Sequence, residues 1–293
     1  MIANWLFDSF FFFLYSGARK EETMKYKDTL MNDLLFKETF ASPDNRRQLE
    51  FLLEQLLEYP KGYLHNKLEV EYESPLEKNH LTQKSARGDI VVVFEDSTVN
   101  IEAYRVFDHQ SVDKSLYYVM RIEANKLEVG EHYYELGKTI QINFVENSKL
   151  DLGEEIIENF YITSEHNPKI KLGKERFCVK VVQIDKARKL GYTKNELERW
   201  LKFIGAEDEK ERKKIAKGDE LLMELHEWVH KYVNDEETQE KLNKWDILIA
   251  KNHAIELERL EIAKKMLMKN MDINIISEIT GLSVEEIEKI KES

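Results

Sequence analysis

The sequence contains little cysteine, proline or glycine. Its single cysteine, Cys178, cannot form an intramolecular disulfide and excludes any zinc site built from several cysteines. Only 4 prolines and 11 glycines occur among 293 residues, while 34% of the residues are charged and 42% are hydrophobic. This composition argues against long disordered tracts and is typical of a soluble globular protein with many solvated helical faces. The expected location is the cytoplasm, whose reducing conditions suit a free cysteine.

Long hydrophobic runs are also missing. Residues 1–23 include four consecutive phenylalanines, but Asp8 interrupts the apolar stretch and no basic segment precedes it. A helix that crosses a membrane needs about 20 apolar residues, so this segment is too short. It also lacks the small-residue cleavage site of a secretory signal. We therefore predict no stable membrane association and interpret residues 1–23 as an extension before the folded core.

Positive charge is in deficit. The chain has 56 acidic and 44 basic residues, a net charge of −12, which on average opposes nucleic-acid binding. Residues 169–194 are an exception, since they contain nine Lys or Arg and only two acids. This excess of basic residues has two explanations: a solvated surface, or a surface that contacts a nucleic-acid backbone. Its candidate contact residues are Lys169, Lys171, Lys174 and Arg176.

The most informative segment is a β-hairpin that carries two carboxylates. The β-branched and aromatic runs at 91–94 and 99–101 flank a polar turn at 95–97. With the turn centred on residues 95 and 96, Asp89 lies directly opposite Glu102, about 5 Å away at Cβ. Like charges at this spacing repel, which leaves two interpretations: a solvated tip, or a divalent metal site. Hard carboxylate oxygens suit Mg²⁺ or Mn²⁺.

The order of the elements indicates an α/β fold in which helices cover a mixed sheet. A helix over 46–58 with Asp44 as its cap precedes the hairpin, and a helix over 112–129 follows it. Further strands are predicted at 68–73, 139–145, 156–163 and 177–184, and further helices at about 194–205, 208–232 and 237–270. Two short helices, 272–279 and 284–290, end the chain with helix-turn-helix spacing. Because glutamates dominate the second of them, we predict that it packs against protein rather than reads DNA.

Several short motifs, taken in order, resemble one known family. They are "DLLFKETF" (Asp33–Phe40), Lys84–Asp89, Ile101–Tyr104, Lys114–Tyr118, Gly130, Tyr133-Tyr134 and the closing "DINIISEITGLSVEEI". Together they are similar to the Rpn family of recombination-promoting nucleases and transposase-related proteins, within the PD-(D/E)XK nuclease superfamily. The resemblance runs from about Met24 to the end. It implies a restriction-endonuclease-like core over 24–190, a helical C-terminal region over 191–293, and a role in DNA recombination, transposition or defence.

For chemistry, the resemblance implies a Mg²⁺- or Mn²⁺-dependent DNA phosphodiesterase with Asp89 and Glu102 as metal ligands. Glu50 and Glu54 are alternatives for a further acid from an early helix. Tyr104 departs from the pattern, because the superfamily usually has Lys there and this family often has Gln. A phenol donates a hydrogen bond but carries no positive charge at pH 7. Lys114 and Gln110, on the next helix, are the candidates to replace it.

Other classes of function stay open. A nuclease fold without catalysis would act as a DNA- or protein-binding module. The segment "HEWVH" (residues 226–230) matches the H-E-x-x-H motif of zinc hydrolases. Helical phase, however, places His226, Glu227 and His230 opposite the apolar stripe of their helix, and His253 or Glu256 would have to provide a third ligand. Assembly into a homo-oligomer is also open.

The basic segment yields a test. Replacing Lys169, Lys171 and Lys174 by Ala is expected to weaken DNA binding and to flatten its salt dependence. Each lost phosphate contact removes roughly one unit from the slope of log K against log salt concentration. Fluorescence anisotropy of a labelled duplex at several salt concentrations measures both quantities. Equal affinity and equal slope in the wild type and the triple variant would place bound DNA elsewhere.

Overall fold

The structure is a computed structural model that describes residues 29–76, 86–127, 130–173 and 175–292. Residues 1–23 and Lys174 lie outside these ranges. The chain separates into two compact units between Asp235 and Glu236, so the helices between residues 190 and 235 belong to the same unit as the sheet. Within the described ranges, no helix has both the length and the apolar character needed to cross a membrane.

One mixed sheet forms the centre of the first unit. Its strands in the described ranges are β1 (Glu69–Leu76), β2 (Ala86–Phe94), β3 (Ser97–Tyr104), β4 (Lys138–Val145), β5 (Ile157–Phe160) and β6 (Phe177–Gln183). The spatial order is β1-β2-β3-β4-β6-β5. Strands β3, β4 and β6 run parallel, whereas the β1–β2, β2–β3 and β5–β6 pairs are antiparallel. The predicted α/β fold with a mixed sheet is confirmed.

The helices of the first unit surround this sheet. They are α1 (Asp33–Ala41), α2 (Arg46–Leu56), α3 (His109–Ala124), α4 (Ile184–Lys189), α5 (Glu196–Ile204), α6 (Glu209–Ala216) and α7 (Glu220–Asn234), with 3-10 turns at Pro43–Asn45 and Tyr133–Glu135. Aromatic contacts connect three of them to the sheet or to one another. The Phe36 ring of α1 lies 5.1 Å from the Phe144 ring of β4, and the Phe51 ring of α2 lies 4.8 Å from the Trp200 ring of α5. Burying side chains of this size contributes roughly 1.5–3 kcal/mol each.

Three helix boundaries differ from the predictions for local reasons. Helix α3 begins before residue 112 because Asp108 caps it, accepting a hydrogen bond of 3.1 Å from the Ser111 N–H. Asp44 does not cap α2; instead Ser42 caps the preceding 3-10 turn by accepting from the Asp44 N–H. The single helix expected over 208–232 is two helices, since Gly218 adopts φ +85° between α6 and α7.

The second unit is helical and contains α8 (Glu236–Met268), α9 (Ile273–Thr280) and α10 (Val284–Glu292). Its buried core consists of Ala263, Ile276, Leu282 and Ile287. Gly281, with φ 72°, ends α9 in the left-handed conformation. Ser283 and Glu286 then form a reciprocal capping box, with N–H to side-chain distances of 2.8 and 3.2 Å. The two predicted short helices and their turn are therefore present.

The sheet has an unusual buried face at β3 and β4. Val99 and Ile101 form the ordinary apolar face of β3, whereas Asn100 and Glu102 point to the other side and are also buried. The parallel register pairs Asn100 with Gln141 and Glu102 with Asn143. Buried polar groups cost stability unless they are hydrogen-bonded, so this face requires a network of partners.

The junction between the hairpin and β4 depends on Gly137. A Cβ atom there would lie 1.6 Å from the Asp96 carbonyl oxygen, which accepts a 2.9 Å hydrogen bond from the Lys138 N–H. Gly137→Ala must therefore push the hairpin tip away from β4, and we expect it to lower the free energy of unfolding by about 1–3 kcal/mol. Urea denaturation followed by circular dichroism measures the change.

Gly191→Ala is the matched control for Gly137→Ala. A Cβ atom at Gly191 meets no other atom within 4 Å, and its backbone is not in the left-handed region. This variant should therefore keep the wild-type midpoint or raise it slightly, because alanine lowers the entropy of the unfolded chain. The same midpoint in both variants would contradict the close approach at Gly137.

Candidate active site

Asp89 and Glu102 face each other on β2 and β3. The register pairs Ile90 with Ile101, which puts the two carboxylates at the next facing position, as predicted. Glu102 is 1% exposed. The Asp89 side chain is 14% exposed. Burial, and then the charge of Glu102, raises the pKa of Asp89 to about 7. The repulsion expected from the sequence is therefore a property of the folded protein.

Two lysines from different helices answer this negative charge. The Lys37 Nζ of α1 lies 3.0 Å from Asp89 Oδ1 and 2.9 Å from Asp33 Oδ2, and the Lys114 Nζ of α3 lies 2.6 Å from Glu102 Oε2. Burial lowers the pKa of each lysine, but the nearby carboxylates outweigh it, so both pKa values lie above the ordinary lysine value. Both ammonium groups are therefore charged, and three carboxylates share them.

Tyr104 binds the same oxygen of Glu102 as Lys114 does. Its hydroxyl donates a 2.5 Å hydrogen bond to Glu102 Oε2, and its ring lies edge-on to Phe107 at 5.3 Å. Burial and the charge of Glu102 raise the pKa of Tyr104 well above its ordinary value, so the phenol stays protonated. Tyr104 thus supplies a hydrogen bond, and the positive charge comes from Lys114.

The position of α3 explains why Lys114 reaches this site. Parallel strands need a crossover connection, and α3 is the crossover between β3 and β4. Its first turns therefore follow directly after the end of β3, where Glu102 and Tyr104 lie. The Lys114 Nζ is 5.4 Å from the Tyr104 ring centroid, whereas Gln110, one turn earlier, is exposed. Of the two candidate replacements, the structure brings Lys114 to Glu102.

Glu50 and Glu54, the early-helix acids considered as a further acid of the metal site, bind backbone N–H groups instead. Glu54 accepts hydrogen bonds of 2.8 Å from the N–H groups of Gly62 and Leu64. Glu50 accepts one of 2.9 Å from the Asn66 N–H. Both carboxylates thus hold the loop after α2 by satisfying its backbone.

Asp33 and Lys37 are the site residues that the sequence reasoning missed. Asp33 is the early-helix acid whose charge acts on Asp89, and Lys37 lies between the two. Their four-residue spacing within "DLLFKETF" places them on one helical face, so the sequence does indicate an ion pair between Asp33 and Lys37. The contact of Lys37 with Asp89 depends on the packing of α1 and has no local signal.

The donor set suits a hydrated Mg²⁺ or Mn²⁺ ion. Asp89 and Glu102 provide two facing carboxylates, and these ions commonly use one or two carboxylates and keep several waters. In the part of the chain that the structure describes, no three His, Cys, Asp or Glu side chains are grouped as metal ligands. An all-protein cage of the zinc type is therefore not formed by the described residues.

The "HEWVH" segment borders a small cavity of about 220 Å³ between α6 and α7, lined by Glu209, Lys213, Met223, His226, Glu227 and His230. Glu227 and His230 are exposed on the polar side that the helical phase predicts, but His226 is only 4% exposed, because α6 covers it there. Burial lowers its pKa. His230 Nδ1 lies 3.0 Å from Glu209 Oε1. The side chains of His253 and Glu256 lie outside the description, so the described residues do not complete a zinc site.

The basic segment carries less free charge than its composition indicates. Lys171 Nζ lies 2.5 Å from Glu175 Oε1, and Arg176 Nε lies 3.6 Å from Glu123 Oε1. Lys169 is exposed. The assignment of this segment to DNA contact stays a prediction.

Two family models match the chain. The model described as PD-(D/E)XK nuclease family transposase matches residues 30–244, which include both carboxylates and both lysines of the site. The model described as Rpn/YhgA-like nuclease family, C-terminal HTH domain matches residues 256–292, which include α9 and α10. A search of curated proteins and a search of solved structures each found no match.

The charge balance of the site predicts how Asp89→Asn behaves. In chelator, the variant should be at least as stable as the wild type, because it removes a buried charge that faces Glu102. With Mg²⁺ or Mn²⁺, the melting temperature of the wild type should rise, since an ion that binds only the folded state stabilises it, and that of the variant should not. Thermal unfolding with and without metal measures both.

Asp113→Asn, an exposed residue beside Lys114, is the charge-matched control and should keep the metal response. If Asp89→Asn responds to metal like the wild type, Asp89 is not a ligand.

Proposed function

The chain belongs to the PD-(D/E)XK nuclease family transposases, and on that premise we propose that it is a metal-dependent DNA endonuclease. Its reaction is the hydrolysis of phosphodiester bonds, with Mg²⁺ or Mn²⁺ held by Asp89 and Glu102. Membership of this family supports a nuclease-like function; the metal, the substrate and the site residues are our proposal.

The convergence of Asp89, Glu102 and Lys114 is the observation that carries the proposal. A divalent cation held by the two carboxylates would generate a water-derived nucleophile and offset charge on the scissile phosphate. Lys114 provides a fixed ammonium group beside Glu102, which can stabilise negative charge that develops on the phosphate. Tyr104 stays neutral and orients Glu102, while Lys37 orients Asp89.

We propose DNA as the substrate and recombination, transposition or defence as the context. The C-terminal HTH domain supports a DNA partner. Helix α10 combines Glu286 and Glu288 with Lys289 and Lys291, so its contribution to phosphate contacts is small and its packing against protein stays a prediction. Lys169, Lys171, Lys174 and Arg176 remain the candidate contacts to the DNA backbone.

A second candidate is a nuclease fold that binds DNA or protein without cutting. The ion pairs at the site favour it, since Asp89 and Glu102 each already have an ammonium partner. A site whose charges are largely compensated gains less from a cation than an open acidic pair does.

Cleavage of a supercoiled plasmid with Mg²⁺, Mn²⁺, Zn²⁺ or chelator tests the proposal. We expect Mg²⁺ or Mn²⁺ to support nicking, and Asp89→Asn and Glu102→Gln to abolish it. Lys114→Ala should lower the rate by a factor on the order of 10² to 10³, as losing one charge-stabilising contact does. Lys149→Ala removes an exposed lysine outside the site and should cleave at the wild-type rate.

Two results would redirect the assignment. Loss of cleavage in Gln110→Ala with full cleavage in Lys114→Ala would transfer the role of Lys114 to Gln110. A folded wild type that is inert with every metal would favour the binding module.

A further inference from the structure

Glu102 is a member of a circuit of polar side chains between the sheet and α3, which we call the Glu102 ring. Hydrogen bonds link its neighbours, except that Ser115 and Tyr104 lie side by side. Its members are Asn100, Glu102 and Tyr104 of β3, Gln141 and Asn143 of β4, and Ser115 of α3. The parallel register creates it, because Asn100 faces Gln141 and Glu102 faces Asn143. Residues that alternate along two neighbouring strands therefore line one buried face.

The ring can be followed in one direction from Glu102. The amide of Asn100 donates to Glu102 Oε1 at 3.4 Å and to Gln141 Oε1 at 2.8 Å. The amide of Gln141 donates to Asn143 Oδ1 at 2.7 Å. The amide of Asn143 then donates to Ser115 Oγ at 2.9 Å.

The remaining contacts close the ring. The Ser115 hydroxyl donates to the Ser111 carbonyl at 2.8 Å and lies beside the Tyr104 hydroxyl, which donates to Glu102 Oε2 at 2.5 Å. Glu102 thus receives a donor at each carboxylate oxygen. The ring also constrains its neighbourhood, because a Cβ atom at Gly88 would lie 2.5 Å from Asn100 Oδ1.

The burial of these polar groups calls for a reason beyond packing. Asn100, Gln141 and Asn143 are fully buried, and Glu102 and Ser115 are nearly so. Apolar side chains of similar size would fill this face without desolvating amides and a carboxylate. Their mutual hydrogen bonds, by contrast, hold these side chains in one arrangement, and among them Asn100 Oδ1 is the atom without a hydrogen-bond partner in the described part of the chain.

We propose that Gln141 and Asn143 are positioning residues that hold Glu102 in its ligand orientation, an inference that rests on the proposed function. Gln141 acts on one carboxylate oxygen through Asn100, and Asn143 acts on the other through Ser115 and Tyr104. Tyr104, which stands where the superfamily usually has lysine, also has a role in this arrangement. The phenol gives Glu102 a neutral hydrogen-bond donor that lies beside Ser115, and the ammonium group of Lys114 provides the charge.

Asn143→Leu opens the ring, and Thr139→Val is its matched control. Thr139 lies on the same face of β4 and is fully buried, but its hydroxyl donates to Glu123 Oε2 at 2.6 Å, outside the ring. Asn143→Leu loses two hydrogen bonds, to Gln141 and Ser115, and Thr139→Val loses one. Titration calorimetry of the full chain with Mn²⁺ should show an affinity about 10- to 100-fold lower for Asn143→Leu, as for other residues that orient a metal ligand. Thr139→Val should keep the wild-type affinity.

A second readout needs no metal. In chelator, the shift of the urea midpoint caused by Asn143→Leu should be smaller in a Tyr104→Phe background than in the wild type, because that ring is already open. The shift caused by Thr139→Val should be the same in both backgrounds. Asn143→Ser, which cannot reach both neighbours, is a milder variant for both measurements if Asn143→Leu does not fold.

The outcomes separate the two proposals. If the wild type binds Mn²⁺ and the Asn143 variant binds it equally well, the positioning role is overturned and the proposed function stands. An equal shift of the urea midpoint by Asn143→Leu in the wild type and in the Tyr104→Phe background also overturns the positioning role. If the wild type binds no Mn²⁺, the proposed function fails, and the positioning role fails with it.

Discussion

Two carboxylates that face each other across adjacent strands, one buried and one largely buried, are the constraint on which the rest of this structure depends. Asp89 and Glu102 cannot both be ionised in a low-dielectric site unless positive charge lies close by. Helix α1 brings Lys37 to one of them and the crossover helix α3 brings Lys114 to the other. The positions of these two helices are thus linked by charge as well as by apolar packing, and a divalent cation would meet the same requirement.

The site divides two tasks between different elements. Lys114, on the crossover helix, supplies charge, whereas Tyr104, on the strand, supplies a hydrogen bond that orients Glu102. Charge can be provided from any element that reaches the site, but orientation requires fixed neighbours in the sheet. The buried amides of Gln141 and Asn143 are such neighbours, and this explains a polar layer where apolar residues would fold as readily.

Local signals made part of this structure predictable. The polar tip of the hairpin and its β-branched flanks determine the register that pairs Asp89 with Glu102, and Ser283 with Glu286 marks the start of α10. Other features depend on distant packing. The covering of His226 by α6 cannot be read from the phase of α7 alone. The sequence likewise does not indicate that Glu50 and Glu54 accept hydrogen bonds from loop N–H groups. It also does not indicate those partners of Lys37 and Gln141 that lie far away along the chain.

Whether Asp89 and Glu102 together hold a divalent cation is best tested by locating the ion. A crystal of the full chain soaked in Mn²⁺ and measured for anomalous scattering would give the position of the metal. We predict a peak about 2.1 Å from a carboxylate oxygen of each residue. A Mn²⁺ peak elsewhere in a crystal in which Lys37 and Lys114 still pair with these carboxylates would contradict it.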